Sequence, residues 1–355
     1  MSNFHFERLI QAAQKGNLQY FLDYIDSFQE TWLIKKCNKA GDNIIHLIAR
    51  FGRLNILKFI SQELLNRHLE WTLNTKIVFE SINNDRKTPL HEASQANQIE
   101  CVQFLLSLSL NVDSMKKGDW TPLMLAAAKG NKEVIKILLE NGANPALVNK
   151  DGWNSFHIAV REGNLDIVEI LLNNNPSIWK VSSKNQRTPL HTAALHGCKE
   201  VTQWLLSDCC HPVDVRDACG TTPLMDAIRN GHTDVAEIMI KEFQADINQH
   251  DKLGYQLLHI AAHSGKLQSV AYLLNELHVD PMPASHKKVT PLHLAAKEGH
   301  LEVIKYLISH GADRNTTDDM GRKPLDMVSV NNHKCCMDIL QNRTANATEN
   351  NNSLG

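Results

Sequence analysis

The sequence predicts an all-α solenoid of about ten helix-turn-helix units with hairpin fingers between them. Three observations predict it. A four-residue phrase, written "TPLH", "TPLM" or "NSFH" in different places, recurs with its last residue at His46, His91, Met124, His157, His191, Met225, His259, His293 and Asp326. Successive last residues differ by 45, 33, 33, 34, 34, 34, 34 and 33 positions. Small residues and then a glycine follow the phrase, and a second apolar run at helical spacing comes after, so each period holds two short helices and a connection.

The phrase opens the first helix. Thr offers an N-cap oxygen, Pro fits the first turn, and Leu begins the buried stripe. In "LAAAKGN" (Leu125 to Asn131) the alanines let neighbouring helices approach closely, and Gly130 takes the left-handed turn that ends the helix. The second helix follows in "EVIKILLENGAN" (Glu133 to Asn144), where Val134, Ile135, Leu138 and Leu139 share a face. The inter-helix glycine returns at Gly16, Gly52, Gly163, Gly197, Gly231, Gly265 and Gly299, with Asn97 standing in once. The first and last units are atypical, as the ends of a stacked array must be.

A period near 33 with T-P-L-H-x-A is the signature of ankyrin repeats. The array is expected over residues 4–340, with a capping unit at 4–38. The 45-residue step locates a 12-residue insertion near 62–81, read as a lengthened second helix and a longer loop. The polar segment 341–355 is expected to be disordered.

Composition narrows the function classes. The 37 basic and 39 acidic residues nearly balance, which argues against direct nucleic-acid binding, and no run of 18 apolar residues argues for a membrane span. The N-terminal segment lacks the apolar core of a secretory signal, so the eight cysteines are expected to be thiols and the protein to occupy the cytoplasm and nucleus. No phosphate-binding glycine loop, nucleophile elbow or zinc-protease helix occurs. No catalytic residue, metal or cofactor is therefore assigned. The phrase histidines recur one per repeat at helix starts, which is the pattern of a structural hydrogen bond and not of a metal site. Cys209-Cys210 and Cys335-Cys336 lack zinc spacing and are expected as small apolar residues in second helices.

Lys117 and Lys150 each stand four residues before a helix cap and three before a tryptophan, Trp120 or Trp153. Lys184 and Lys252 share that phase, Lys116 precedes Lys117, and Trp179-Lys180 adds another aromatic and amine. Stacked fingers would set such lysines one repeat apart beside aromatic anchors of the kind enriched at interfaces. The alternative is that the lysines are solvated tips and the indole rings cover apolar atoms of the neighbouring finger. A monomer that binds a protein partner fits either reading.

The runs "VDSMKKGDWTPLMLAAAKGN", "NGANPALVNKDGWNSFHIAVREGN" and "WKVSSKNQRTPLHTAALHG" resemble the ankyrin repeat domain-containing protein 16 family. That resemblance implies a co-regulator of alanyl-tRNA synthetase, one that binds the catalytic part of the synthetase and accepts misactivated serine on lysine side chains before it reaches tRNA. Residue by residue, the acceptor lysines of the family match Lys117, Lys150 and Lys180, and the docking face would include Trp120, Trp153, Trp179, Lys116 and Lys184. Such a protein is consumed as it reacts, so the resemblance implies a guardian of translation fidelity and not an enzyme. The insertion near 62–81 departs from the family pattern.

Overall fold

The fold is seen in a computed structural model that describes residues 3–24, 30–66, 75–328 and 334–341. The middle of the insertion, 67–74, and the tail from 342 lie outside the described residues. Helices succeed one another in pairs. The first unit, Met1–Ser183, holds α1 (Asn3–Lys15) and α2 (Leu18–Tyr24), α3 (Ile44–Arg50) and α4 (Leu54–Asn66), a short α5 (Thr75–Phe79), α6 (Pro89–Gln95) and α7 (Ile99–Ser107), α8 (Pro122–Lys129) and α9 (Lys132–Glu140), and α10 (Ser155–Arg161) and α11 (Leu165–Asn174). The second unit, Lys184–Gly355, holds α12 (Pro189–His196) and α13 (Lys199–Ser207), α14 (Pro223–Asn230) and α15 (Thr233–Lys241), α16 (Leu257–His263) and α17 (Leu267–Ala271), α18 (Pro291–Glu298) and α19 (Leu301–Ser309), and a 3-10 turn (Pro324–Met327) followed by α20 (Lys334–Leu340).

Within each unit the first helices pack on one another, α3 against α6 against α8 and α12 against α14 against α16 against α18. The small residues after the phrase permit this approach: Ala93, Ala126, Ala127, Ala159, Ala193, Ala227, Ala261 and Ala295 are fully buried. The inter-helix residues take the left-handed backbone that the turn needs, with φ of +74° at Gly130 and +56° at Asn97.

Five of the phrase histidines tie their repeat to the one that follows within the same unit. His91 accepts the Thr88 N–H at Nδ1 (3.1 Å) and donates from Nε2 to the Trp120 carbonyl (3.1 Å), closing its own helix start and gripping the following finger. His46, His191, His259 and His293 reach the carbonyls of Lys87, Thr221, Val289 and Arg322 in the same way. All five rings are fully buried, and burial lowers their pKa values, to about 4 at His91, His191 and His259. They are neutral parts of the scaffold.

Two expectations need correction. Cys209 and Cys210 lie past the end of α13, in the turn, where Cys210 is exposed with φ +49°; the chain needs a left-handed residue there to leave the helix. Cys335 and Cys336 do sit in a second helix, α20. The insertion lengthens α4 to 13 residues, but its remainder is not loop alone. In α5, Val78 and Phe79 are fully buried, and the Phe79 ring meets Phe104 of α7 edge-on at 6.4 Å, so the apolar end of the insertion is drawn back to the core.

Candidate functional site

Between one helical pair and the next the chain makes a finger whose tip is a five-residue loop. In the fourth finger, Asn149 to Trp153, the Asn149 N–H donates to the Trp153 carbonyl (2.8 Å) and Gly152 turns with φ +81°. The Asn149 amide oxygen then accepts from the Asp151 and Trp153 N–H groups, both at 2.9 Å, so a buried side chain braces the loop from inside. Asn83, Asp217, Asp251 and Asp318 repeat this brace in their own fingers, each accepting from N–H groups two and four residues onward. Ser285 does so with one bond, from Val289 at 3.1 Å.

Neighbouring tips are joined by backbone bonds. The Lys117 N–H donates to the Asp85 carbonyl (2.8 Å) and the Lys150 N–H to the Gly118 carbonyl (3.0 Å), which fixes Lys117 and Lys150 at one register on consecutive fingers of the first unit. Both side chains are exposed. Lys117 has a loose ion pair with Asp85 at 3.9 Å, and among the described residues no carboxylate pairs with Lys150. The same register in the second unit begins with Lys184, passes through Ala218, whose N–H bonds to Asn185, and reaches Lys252, whose N–H bonds to Cys219. Ala218 interrupts the run of cations there, so no continuous lysine ladder is built.

The tryptophans close the fingers and are half-buried. Trp153 stacks on His157 with ring centroids 6.2 Å apart and lies under the Arg161 guanidinium at 5.9 Å. Trp120 lies under the Lys116 amine at 5.6 Å. Their rings thus both cover scaffold atoms and face outward in part. Trp179 and Lys180 are not on a finger. They belong to a 3-10 turn, Ile178–Lys180, after α11, where the Lys180 amine sits 5.5 Å from the Trp179 ring and is otherwise exposed.

The structure therefore brings Lys116, Lys117, Trp120, Lys150 and Trp153 together on two linked fingers of the first unit. Lys180 and Trp179 stand apart from the tips in that unit, and Lys184 opens the second. Beside these lysines runs a row that sequence reasoning missed: Ile82, Met115 and Val148, all at one register of successive fingers, are 55%, 37% and 42% exposed. Aligning the repeats on their helix caps reveals it, since each stands six residues before the cap. Among the described residues no group of His, Cys, Asp and Glu is disposed to hold a metal ion, and no helix is long and apolar enough to cross a membrane.

Comparison with known families matches this pattern. The family model described as ankyrin repeats (3 copies) matches residues 9–116, 60–149, 108–182, 190–283 and 258–351, and that described as ankyrin repeats (many copies) matches 159–206. Such repeats act as protein-protein interaction scaffolds and are typically not enzymes.

Proposed function

The chain belongs to the ankyrin-repeat family, and from that premise we propose that it is a co-regulator of alanyl-tRNA synthetase that takes misactivated serine onto its own lysines. The partner comes from the resemblance of residues 112–197 to the ankyrin repeat domain-containing protein 16 family. The observation that carries the reading is the placement of Lys117 and Lys150, exposed at one register of two hydrogen-bonded fingers, each with a tryptophan three residues on. Lys180, exposed beside Trp179, is the third acceptor.

The reaction asks little of the protein beyond position. Seryl adenylate is a mixed anhydride; a neutral lysine amine attacks its carbonyl, AMP leaves with the bonding pair, and an amide remains. An ordinary lysine with pKa about 10.4 supplies only a small neutral fraction at pH 7. Holding several amines at the mouth of the synthetase raises their effective concentration and offsets that deficit. The amide is stable, so the chain does not turn over. The array over 4–340, with its cap at 4–38, is the binding body, a monomer working in cytoplasm and nucleus without cofactor.

The test is the intact mass of the protein after incubation with alanyl-tRNA synthetase, ATP and serine, with AMP release measured to confirm misactivation. One or more seryl increments, abolished by Lys→Arg at 117, 150 and 180, are expected. Unchanged mass despite AMP release removes this reading. The second reading is a scaffold for another partner, favoured by the exposed row Ile82, Met115 and Val148, which serves docking whether or not serine is captured. Affinity purification that recovers a different partner, lost on Met115→Glu, would establish it.

A further inference from the structure

Loop tips are ordinarily polar, and the last three fingers of the second unit depart from that. The residue two places past each brace stands at the middle of its loop: Leu253 in the seventh finger, Lys287 in the eighth and Met320 in the ninth. Leu253 is 57% exposed and Met320 71%, the two most exposed of the large apolar side chains described in that unit. Lys287, between them in the row, is exposed as well. Single exposed apolar residues need no explanation. Here two fall at one register with a cation between them, and neither serves the core.

The three tips are tied together. The Leu253 carbonyl accepts the His286 N–H (3.3 Å), and the Lys287 carbonyl accepts the Asp319 N–H (3.0 Å), so backbone bonds set the row. The His250 and His286 rings meet edge-on at 5.4 Å, a second tie between the seventh and eighth fingers. Gly254 is buried under the eighth finger, where a Cβ would lie 2.6 Å from the His286 nitrogen. A partner meets a surface already in shape, which lowers the ordering cost of binding.

The positive charge around the row is unspent. Lys252, Lys287 and Lys288 are exposed, and among the described residues none of them forms an ion pair. Two of the three carboxylates on these loops are turned inward. Asp251 and Asp318 are buried and accept loop N–H groups, and Asp318 also holds Arg322 at 2.7 Å. Asp319, next to Met320 in the chain, is the exposed one. Lys288 takes φ +55° where the neighbouring tips have Gly254 and Gly321, so the eighth tip holds a cation in a backbone conformation that favours glycine.

We propose that these three tips form a docking strip for an extended acidic segment of a partner protein. Its apolar side chains cover Leu253 and Met320, and carboxylates between them meet Lys252, Lys287 and Lys288. Repeats stack about 10 Å apart, which puts Leu253 and Met320 roughly 20 Å from each other. An extended chain rises about 3.3 Å per residue and covers that span in about six residues, with every second side chain on the same face. The ligand therefore has two apolar residues about six positions apart and acidic residues at alternate positions between them. A nucleic acid or an anionic bilayer presents uniform negative charge, which Asp319 opposes. Among the described residues no Phe, Tyr or Trp is exposed on these tips for a base to stack on, since Tyr255 is half-buried against His259. The strip shares no residue with the serine acceptors and stands without them.

The full chain is panned against a displayed library of short random peptides, and the enriched peptides are measured by fluorescence anisotropy. Acidic peptides with two spaced apolar residues are expected. Lys287→Glu should weaken them roughly tenfold or more, and Leu253→Ser combined with Met320→Ser by roughly the same factor. Lys288→Gly gives the loop the residue its backbone favours, so it keeps the fold and should weaken binding roughly threefold. Urea unfolding of each variant should match or exceed that of the parent, because every changed side chain is exposed. No enrichment over the triple variant Leu253→Ser, Lys287→Glu, Met320→Ser overturns the proposal, and so do enriched peptides whose affinity these changes leave intact. Phosphatidylserine vesicles and single-stranded DNA form separate arms. Binding to either that the triple variant loses, without binding of acidic peptides, overturns the peptide assignment.

Discussion

The third and fourth fingers carry nearly the same words, "KKGDW" and "NKDGW", and reach the same closed shape by opposite means. The fourth is braced from inside by the Asn149 amide, and the helix start before it carries Met124, which cannot bond to it. The third has no inner brace, because Lys116 occupies that place, but His91 of the preceding repeat holds the Trp120 carbonyl from outside. The second finger uses both devices, Asn83 within and His46 without. One support is thus enough to shape a tip, and the third finger is free to put an amine where the others need an acceptor.

The largest expected effect comes from acid, which protonates the buried His91 ring at Nδ1 and takes the acceptor from the Thr88 N–H, while the Nε2 bond to the Trp120 carbonyl remains. The His91 imidazole titrates near 6.5 when unfolded and about 4 when folded, pushed down by burial. A depressed folded value means that its contribution is complete above pH 6.5 and fades as the pH falls toward 4, by on the order of 3 kcal/mol. Urea unfolding at neutral pH and near pH 4.5 should show the protein losing more stability than His91→Gln, whose amide does not titrate. Equal losses would mean that the ring is not held neutral. Next, Asn149→Ala removes the inner brace of the fourth finger and leaves two N–H groups without their acceptor, at a cost of about 2 kcal/mol. Lys116→Ala should cost well under half as much in the same urea titration, because no brace is lost; similar costs would erase the distinction between the fingers. The smallest effect sharpens the comparison: Met124→His places the missing ring before the fourth finger and should raise stability by about 1 kcal/mol, with no gain if the Trp153 carbonyl is out of reach.

Much of this architecture was legible in the repeat. The phrase spacing located the helix starts, and Gly130 and Asn97 marked left-handed turns because few other residues tolerate them. The histidines were legible as structural parts, although not the carbonyls they reach, which belong to the next repeat 29 to 41 residues away. The site was legible only in outline. Lys117 and Lys150 could be placed at finger tips by counting back from the caps, but Lys180 could not be told from a finger residue until the 3-10 turn after α11 was seen. The exposed row of Ile82, Met115 and Val148 went unread because apolar residues in a repeat are ordinarily assigned to the core.

By itself the sequence determined the repeat, the starts of its first helices and the residues with special backbone needs, because those depend on contacts within a few positions of the chain. Tertiary structure decided which side chains are dry and which partners they meet. Lys116 and Lys117 are adjacent in sequence and alike in chemistry. Stacking leaves one half-buried beside the Trp120 ring and the other exposed, a difference that adjacent positions in the chain do not announce.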